Sequence, residues 1–221
     1  MSPRRYRLGR RAEAKADTRE RIVAAAVALH RKKGTIATRY ADLARQAGVS
    51  LQTVHNHFPT LGALLPACTG MVAATAPQVT AALFEPLQAP EDRLDALMTA
   101  LFAQHAHFEP WMRWAVHEAR AVPELEAGIR RWRDDLAALL AKAVAPGFAG
   151  KPPAEMVALL ATLLDIESWL RLQSQSALSA KAANAALRHG AITWLRQYLA
   201  AAPSQVRPGT RAAASTRGDR S

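Results

Sequence analysis

The residues best equipped for chemistry lie between Ser50 and His57, in the run Ser-Leu-Gln-Thr-Val-His-Asn-His. Gln52 and Asn56 stand four positions apart, which on a helix puts them on one face, and each amide both donates and accepts hydrogen bonds. That is what an adenine edge requires, since it is bonded in two places by such a group, and the Thr53 methyl suits the methyl of thymine. His55 belongs to the same polar face. The chemistry is recognition, with no bond made or broken.

Catalytic equipment is not found in the sequence. It has no Gly-rich phosphate loop, no nucleophile elbow and no helical HExxH pair. His105, His107, Glu109, His117 and Glu118 are metal-ligand types, but their spacing fits no closed zinc pattern and Pro110 interrupts them. Cys68 is the single cysteine, which excludes an internal disulfide and a cysteine-based zinc cluster. We therefore expect no metal, no cofactor and no enzymatic activity.

The elements that must carry the polar face are helices. Asp17 and Glu20 have capping-box spacing, Gly34 supplies a stop, and Ile22, Ala25, Ala26 and Leu29 form an apolar stripe, so a helix is predicted from about Asp17 to Lys33. A short helix from Tyr40 to Ala47 follows, then Gly48-Val49-Ser50, then a second from Leu51 to His57. Gly48 suits positive φ at the turn, Val49 plugs the core and Ser50 caps the next helix. Two short helices joined in this way make a helix-turn-helix. Farther on, proline punctuation predicts helices near 60–74, 75–88, 90–108, 110–121, 123–145, 154–176 and 179–201, with a kink or break at Pro66. No sustained alternation of β-branched and polar residues exists, so the fold class is all-α.

Charge is segregated along the chain. Residues 1–58 carry 13 Lys/Arg against 4 Asp/Glu, residues 59–202 carry 12 against 13, and the tail from Pro203 carries 4 against 1, out of a net +11. An anionic partner for the N-terminal part follows, either nucleic acid or an anionic membrane surface. No stretch is apolar enough to cross a membrane, and no apolar run follows the N-terminal arginines as a secretory signal would require, so a cytoplasmic location is expected. Residues 1–15 and 203–221 lack an apolar stripe and are expected to be disordered. The first of these reads as a basic arm for the minor groove or as a solvated tail.

The run from Thr18 to Leu65 resembles the DNA-binding domain of the TetR family of transcriptional regulators. The agreement includes Arg21-Ile22, Ala26, Gly34, Leu43-Ala44, Ala47-Gly48-Val49-Ser50, Thr53, His57-Phe58-Pro59 and Leu64. The resemblance implies a three-helix DNA-binding domain over 16–65, with Arg39, Ser50, Leu51, Gln52, Thr53, His55, Asn56 and His57 at the DNA. It also implies a larger helical domain for ligand binding and dimerisation over 66–202, and a homodimeric repressor on a palindromic operator answering to a small-molecule effector. Three positions depart from the family pattern. His55 stands where a Tyr is usual, Leu61 where a Lys is usual, and Arg39 at a usual Thr cap. Leu51 replaces a commonly polar residue and either meets a thymine methyl or joins the core.

In the larger part, Phe102, His105, Phe108, Trp111, Met112, Trp114, His117 and Trp169 either line an apolar pocket with a few polar anchors or pack a core. Leu159, Leu163, Ile166 and Leu170, with Leu187, Ile192, Leu195 and Leu199, either form a four-helix interface with a second subunit or an ordinary internal bundle. The reading opposed to a DNA regulator is a basic helical protein that binds an anionic membrane or a protein partner without sequence-specific DNA recognition.

Overall fold

The computed structural model describes residues 3–201, and the expected C-terminal tail lies outside them. Helices α1 (Pro3–Lys33), α2 (Tyr40–Ala47), α3 (Leu51–His57), α4 (Leu61–Ala73), α5 (Pro90–Glu118), α6 (Pro123–Val144), α7 (Ala154–Leu164), α8 (Ile166–Ser174) and α9 (Ala180–Ala201) follow in order. Among the described residues there is no strand, so the all-α expectation holds.

The chain forms two compact units. The first comprises residues up to Ala76 together with Pro110–Ile129, and the second Pro77–Glu109 with the residues from Arg130. The division differs from the expected boundary near residue 65, because α4 and the stretch from Pro110 to Ile129 join the first unit.

In the first unit α1, α2, α3 and α4 enclose a small core of Ile22, Val23, Ala25, Ala26, Leu43, Ala44, Ala47, Val54, Phe58, Leu64 and Cys68. Val54 and Phe58, four residues apart, anchor the inner side of α3, each burial contributing about 1.5–3 kcal/mol. Gly48 ends α2 with φ +65°, and the Arg21 guanidinium donates to the Ala47 carbonyl at 2.8 Å, satisfying an acceptor that the helix end leaves open. Burial lifts the Cys68 thiol to about 12, and it is an inert core residue.

The second unit is built on Leu94, Leu97, Met98 and Leu101 of α5, Leu140 of α6, Met156 and Leu160 of α7, and Ala191 and Leu195 of α9.

Four helix expectations are corrected. The helix expected from about Asp17 begins at Pro3, so the stretch expected to be a disordered arm is helical from there. A single α5 replaces the two helices divided at Pro110. The carbonyl that loses its partner there belongs to Ala106, which is exposed. Residues 75–88 hold only a short 3₁₀ turn at Ala81–Phe84, confined by Pro77 and Pro86. The helix expected over 154–176 breaks at Asp165, which is extended at φ −62° and ψ 147°. Tertiary bonds stabilise that break: Ser168 donates to the Thr162 carbonyl at 2.6 Å, and Arg133 of α6 binds Asp165 and Glu167. Pro66 does not break α4, which continues through it with Pro66 exposed.

Candidate nucleic-acid interface

The short α3 is held at its start by its cap. The Thr53 backbone N–H donates to Ser50 Oγ at 3.1 Å, and the two hydroxyls lie 2.8 Å apart. With the Thr53 hydroxyl engaged, its methyl is the uncommitted end of the side chain. Because Val54 and Phe58 face the core, Leu51, Gln52, His55 and Asn56 emerge exposed, and Thr53 and His57 are half-buried. Leu51 is 45% exposed and outside the packed core, which decides against the core reading of that residue.

Gln52 Nε2 donates to Asn56 Oδ1 at 2.9 Å, so the two amides are paired with each other in the absence of DNA. The His55 ring lies against Tyr40 of α2, with centroids 4.9 Å apart and planes at 40°. That contact gives the histidine a backing on a neighbouring helix.

At the start of α2, Arg39 is exposed, and its backbone N–H donates to Asp42 at 3.3 Å. Asp42 also accepts from Lys33 at 2.7 Å and Arg45 at 2.6 Å. Led by the Lys33 bond and helped by the Arg39 N–H and Arg45, this holds the carboxyl at about 2. Lys33 and Arg45 are thus partly neutralised, and Arg39 is exposed.

The entry turn to α2 is fixed by a residue distant in sequence. Glu118, at the end of α5, accepts from the backbone N–H groups of Thr35 at 2.7 Å and Ile36 at 3.2 Å. The same stretch of α5 is pinned to α1 by Trp111, which donates to the Val27 carbonyl at 2.9 Å, and Trp114, which donates to that of Arg31 at 3.2 Å. The neighbouring His30 is buried, which pushes its pKa down against the pull of Glu118.

Residues 22–68 match the sequence model of the family described as bacterial regulatory proteins, tetR family. Over that stretch the chain resembles the tetR family. No curated protein matches the chain by sequence. The architecture recurs in solved structures. A transcriptional regulator from Rhodococcus sp. Rha1 shares 22% identity and a TM-score of 0.59, over 81% of this chain and 96% of that one. A TetR transcription regulator from Haloarcula marismortui ATCC 43049 shares 16% identity and a TM-score of 0.60, over 87% of this chain and 100% of the other. The multidrug binding protein EbrR complexed with imidazole shares 21% and a TM-score of 0.55, over 87% and 97%. At these identities the likeness is one of fold alone.

The residues expected in an effector pocket divide between the two units. Trp111, Met112, Trp114 and His117 belong to the first, where both tryptophans hold α1 and Met112 is buried. Phe102, His105, Phe108 and Trp169 belong to the second, where Phe102 and Trp169 pack on His105, and His105 and Phe108 pack on Trp132, which the sequence reading missed. A signal for Trp132 was present, since it stands alone in the charged run Arg130-Arg131-Trp132-Arg133-Asp134-Asp135.

The expected dimer residues divide as well. Ile166, Leu187, Leu195 and Leu199 are buried within their own unit, so they face inward and cannot form the outer surface expected of them. Leu163, Leu170 and Ile192 are half-buried, and Leu159 is 42% exposed. The outward side of α7 carries Glu155, Ala158, Leu159 and Thr162, and that of α9 carries Ala186, His189 and Gly190. Among the described residues no helix is long and apolar enough to cross a membrane, and no cluster of metal-ligand types has formed.

Proposed function

We propose that the protein is a sequence-specific DNA-binding regulator that represses transcription as a homodimer on a palindromic operator and is released by a small-molecule effector. The observation that carries the proposal is the Ser50-capped α3, which turns Val54 and Phe58 inward and leaves Leu51, Gln52, His55 and Asn56 exposed within a TetR-family domain. Gln52, Thr53 and Asn56 read base edges, Leu51 meets a thymine methyl, and Arg39, Ser50, His55 and His57 serve the phosphates. Two such helices about 34 Å apart match a two-fold symmetric site.

The effector reading is supported by the aromatic group in the second unit and by EbrR, a neighbour in fold whose structures hold imidazole and proflavin. Release requires the effector to bind more tightly to the state that cannot engage both half-sites, since equal affinity for two states shifts neither. The homodimer is supported by the outward face of α7 and α9, where Leu159 is exposed beside small residues.

Selection of bound sequences from a random DNA library, repeated over a range of salt concentrations, tests the reading. The expected result is a palindromic site whose binding falls steeply with salt. Enrichment of no sequence, or binding unaffected by Gln52→Ala and Asn56→Ala, rejects it.

A further inference from the structure

His105 lies in the middle of the second unit with none of its surface exposed. Its Nε2 is 2.9 Å from the carbonyl oxygen of Leu164, the last residue of α7. A carbonyl only accepts, so Nε2 carries the proton and Nδ1 is left as a bare lone pair. No protein group bonds Nδ1. Burial also drives the His105 pKa down to about 4, against the pull of the Leu164 carbonyl and of Asp165, so the ring stays neutral and the lone pair stays available.

The surroundings of this acceptor are aromatic. Phe102, Trp132 and Trp169 lie with ring centroids 6.3, 6.1 and 5.8 Å from the imidazole, and Phe108 packs edge-on to Trp132 at 5.1 Å. Trp169 is no donor for Nδ1, because its indole N–H is given to Asn184 Oδ1 at 2.7 Å. The charge that acts on the ring is that of Asp165, which is paired with Arg133, and Arg133 also binds Glu167. A buried acceptor without a partner costs roughly as much as a lost hydrogen bond, so its retention among aromatic rings calls for a reason.

We propose that His105 Nδ1 is the anchoring acceptor of the effector site, and that it selects ligands with an N–H or O–H donor on a flat aromatic body. Carboxylates and phosphates are disfavoured, because the anchor can only accept and the carboxylate of Asp165 is close by. The two nitrogens of one rigid ring join the ligand to the α7 carbonyl beside the Asp165 break, so occupancy at Nδ1 is felt where α7 gives way to α8. The inference rests on the reading of the second unit as effector-binding.

The test is a calorimetric titration of the full chain with 2-naphthol and with 2-methoxynaphthalene, which keeps the aromatic body and removes the donor. The naphthol should bind at least about tenfold more tightly, the equivalent of one hydrogen bond to a buried group, and His105→Phe should abolish the preference. In protein labelled with ¹⁵N-histidine, the Nδ1 resonance should move with the naphthol and not with the ether, a readout that stands even where the variant fails to fold. Equal binding of the two probes, binding of neither, or a preference that persists in His105→Phe overturns the proposal. So does an Nδ1 signal already hydrogen-bonded in the free protein and unmoved by naphthol, which marks an internal water only. Operator binding by the same preparation separates the two readings: failure to find an operator defeats the regulator, while the naphthol comparison decides His105 by itself.

Discussion

Gly34 and Glu118 occupy adjoining space, such that a Cβ on Gly34 would collide with the carboxylate that bonds the next two backbone N–H groups. Gly34 also sits at φ +79°, where a side chain is strained whatever the space. Gly34→Ala should therefore cost both the backbone strain, about 1–2 kcal/mol, and the displaced carboxylate. Glu118→Gln should cost less than Glu118→Ala, because one carbonyl acceptor survives, with the full loss about 1–3 kcal/mol. Urea unfolding of the three variants checks this order, and an unchanged midpoint for Glu118→Ala would show that the entry turn needs no clamp.

Removing the Ser50 hydroxyl by Ser50→Ala takes the cap from a seven-residue helix. Stability should fall by about 1 kcal/mol. Operator binding should weaken as well, because the helix that carries Gln52 frays at its first turn. Thermal unfolding and a DNA titration, run together, separate the two effects.

Arg39→Ala and Asn56→Ala should fail in different ways. On the proposed reading the first removes a phosphate contact, so it should weaken all sequences alike and lower the salt slope by about 1. The second should cost about 1–3 kcal/mol on the selected site and little on random DNA. Filter binding to both kinds of DNA at several salt concentrations distinguishes them.

Leu159→Glu places a charge on the outward side of α7 without disturbing the buried side formed by Met156, Leu160 and Leu164. Sedimentation should show a dimer converted to monomer, with operator affinity reduced and the helical signal retained. A dimer that persists would move the interface elsewhere.

His105 makes stability depend on pH in a defined window. Its folded pKa of about 4 is below the ordinary 6.5, so between these values the unfolded chain binds the extra proton and the folded chain does not. Stability should fall as the pH drops from about 6.5 towards 4, by up to roughly 3 kcal/mol for this residue, and His30 acts in the same direction. Asp42, held at about 2, adds stability above its ordinary 3.8 that is lost progressively as the pH falls from there towards 2, below that window. Denaturant unfolding of His105→Gln, which cannot titrate, should show a flatter profile from pH 6.5 to 4.

The helix-turn-helix was legible in the sequence because each of its signals is local. Gly48 at positive φ, Ser50 as the cap, and Val54 and Phe58 at helical spacing act within a few residues of one another. The break at Asp165 was not legible, because it has no proline or glycine at the break and depends on Arg133, thirty-two positions away. Trp111 and Trp114 read as pocket-lining residues because an apolar ring with one donor suits a ligand and a helix carbonyl equally. Only the fold shows that the carbonyls of Val27 and Arg31 take those donors. The buried Ile166, Leu187, Leu195 and Leu199 illustrate a further limit, since periodicity gives the apolar side of a helix without saying whether that side meets its own chain or another.

The bond between Gln52 and Asn56 changes how base reading must be counted. On the proposed reading, a side chain that already has a partner gives up that one bond when it meets DNA and takes up the two that an adenine edge offers, so the correct sequence still gains. A wrong sequence takes the partner away and supplies nothing in return. Under the proposed function the two amides would therefore discriminate from both sides, with a gain on the matching site and a toll on a mismatched one.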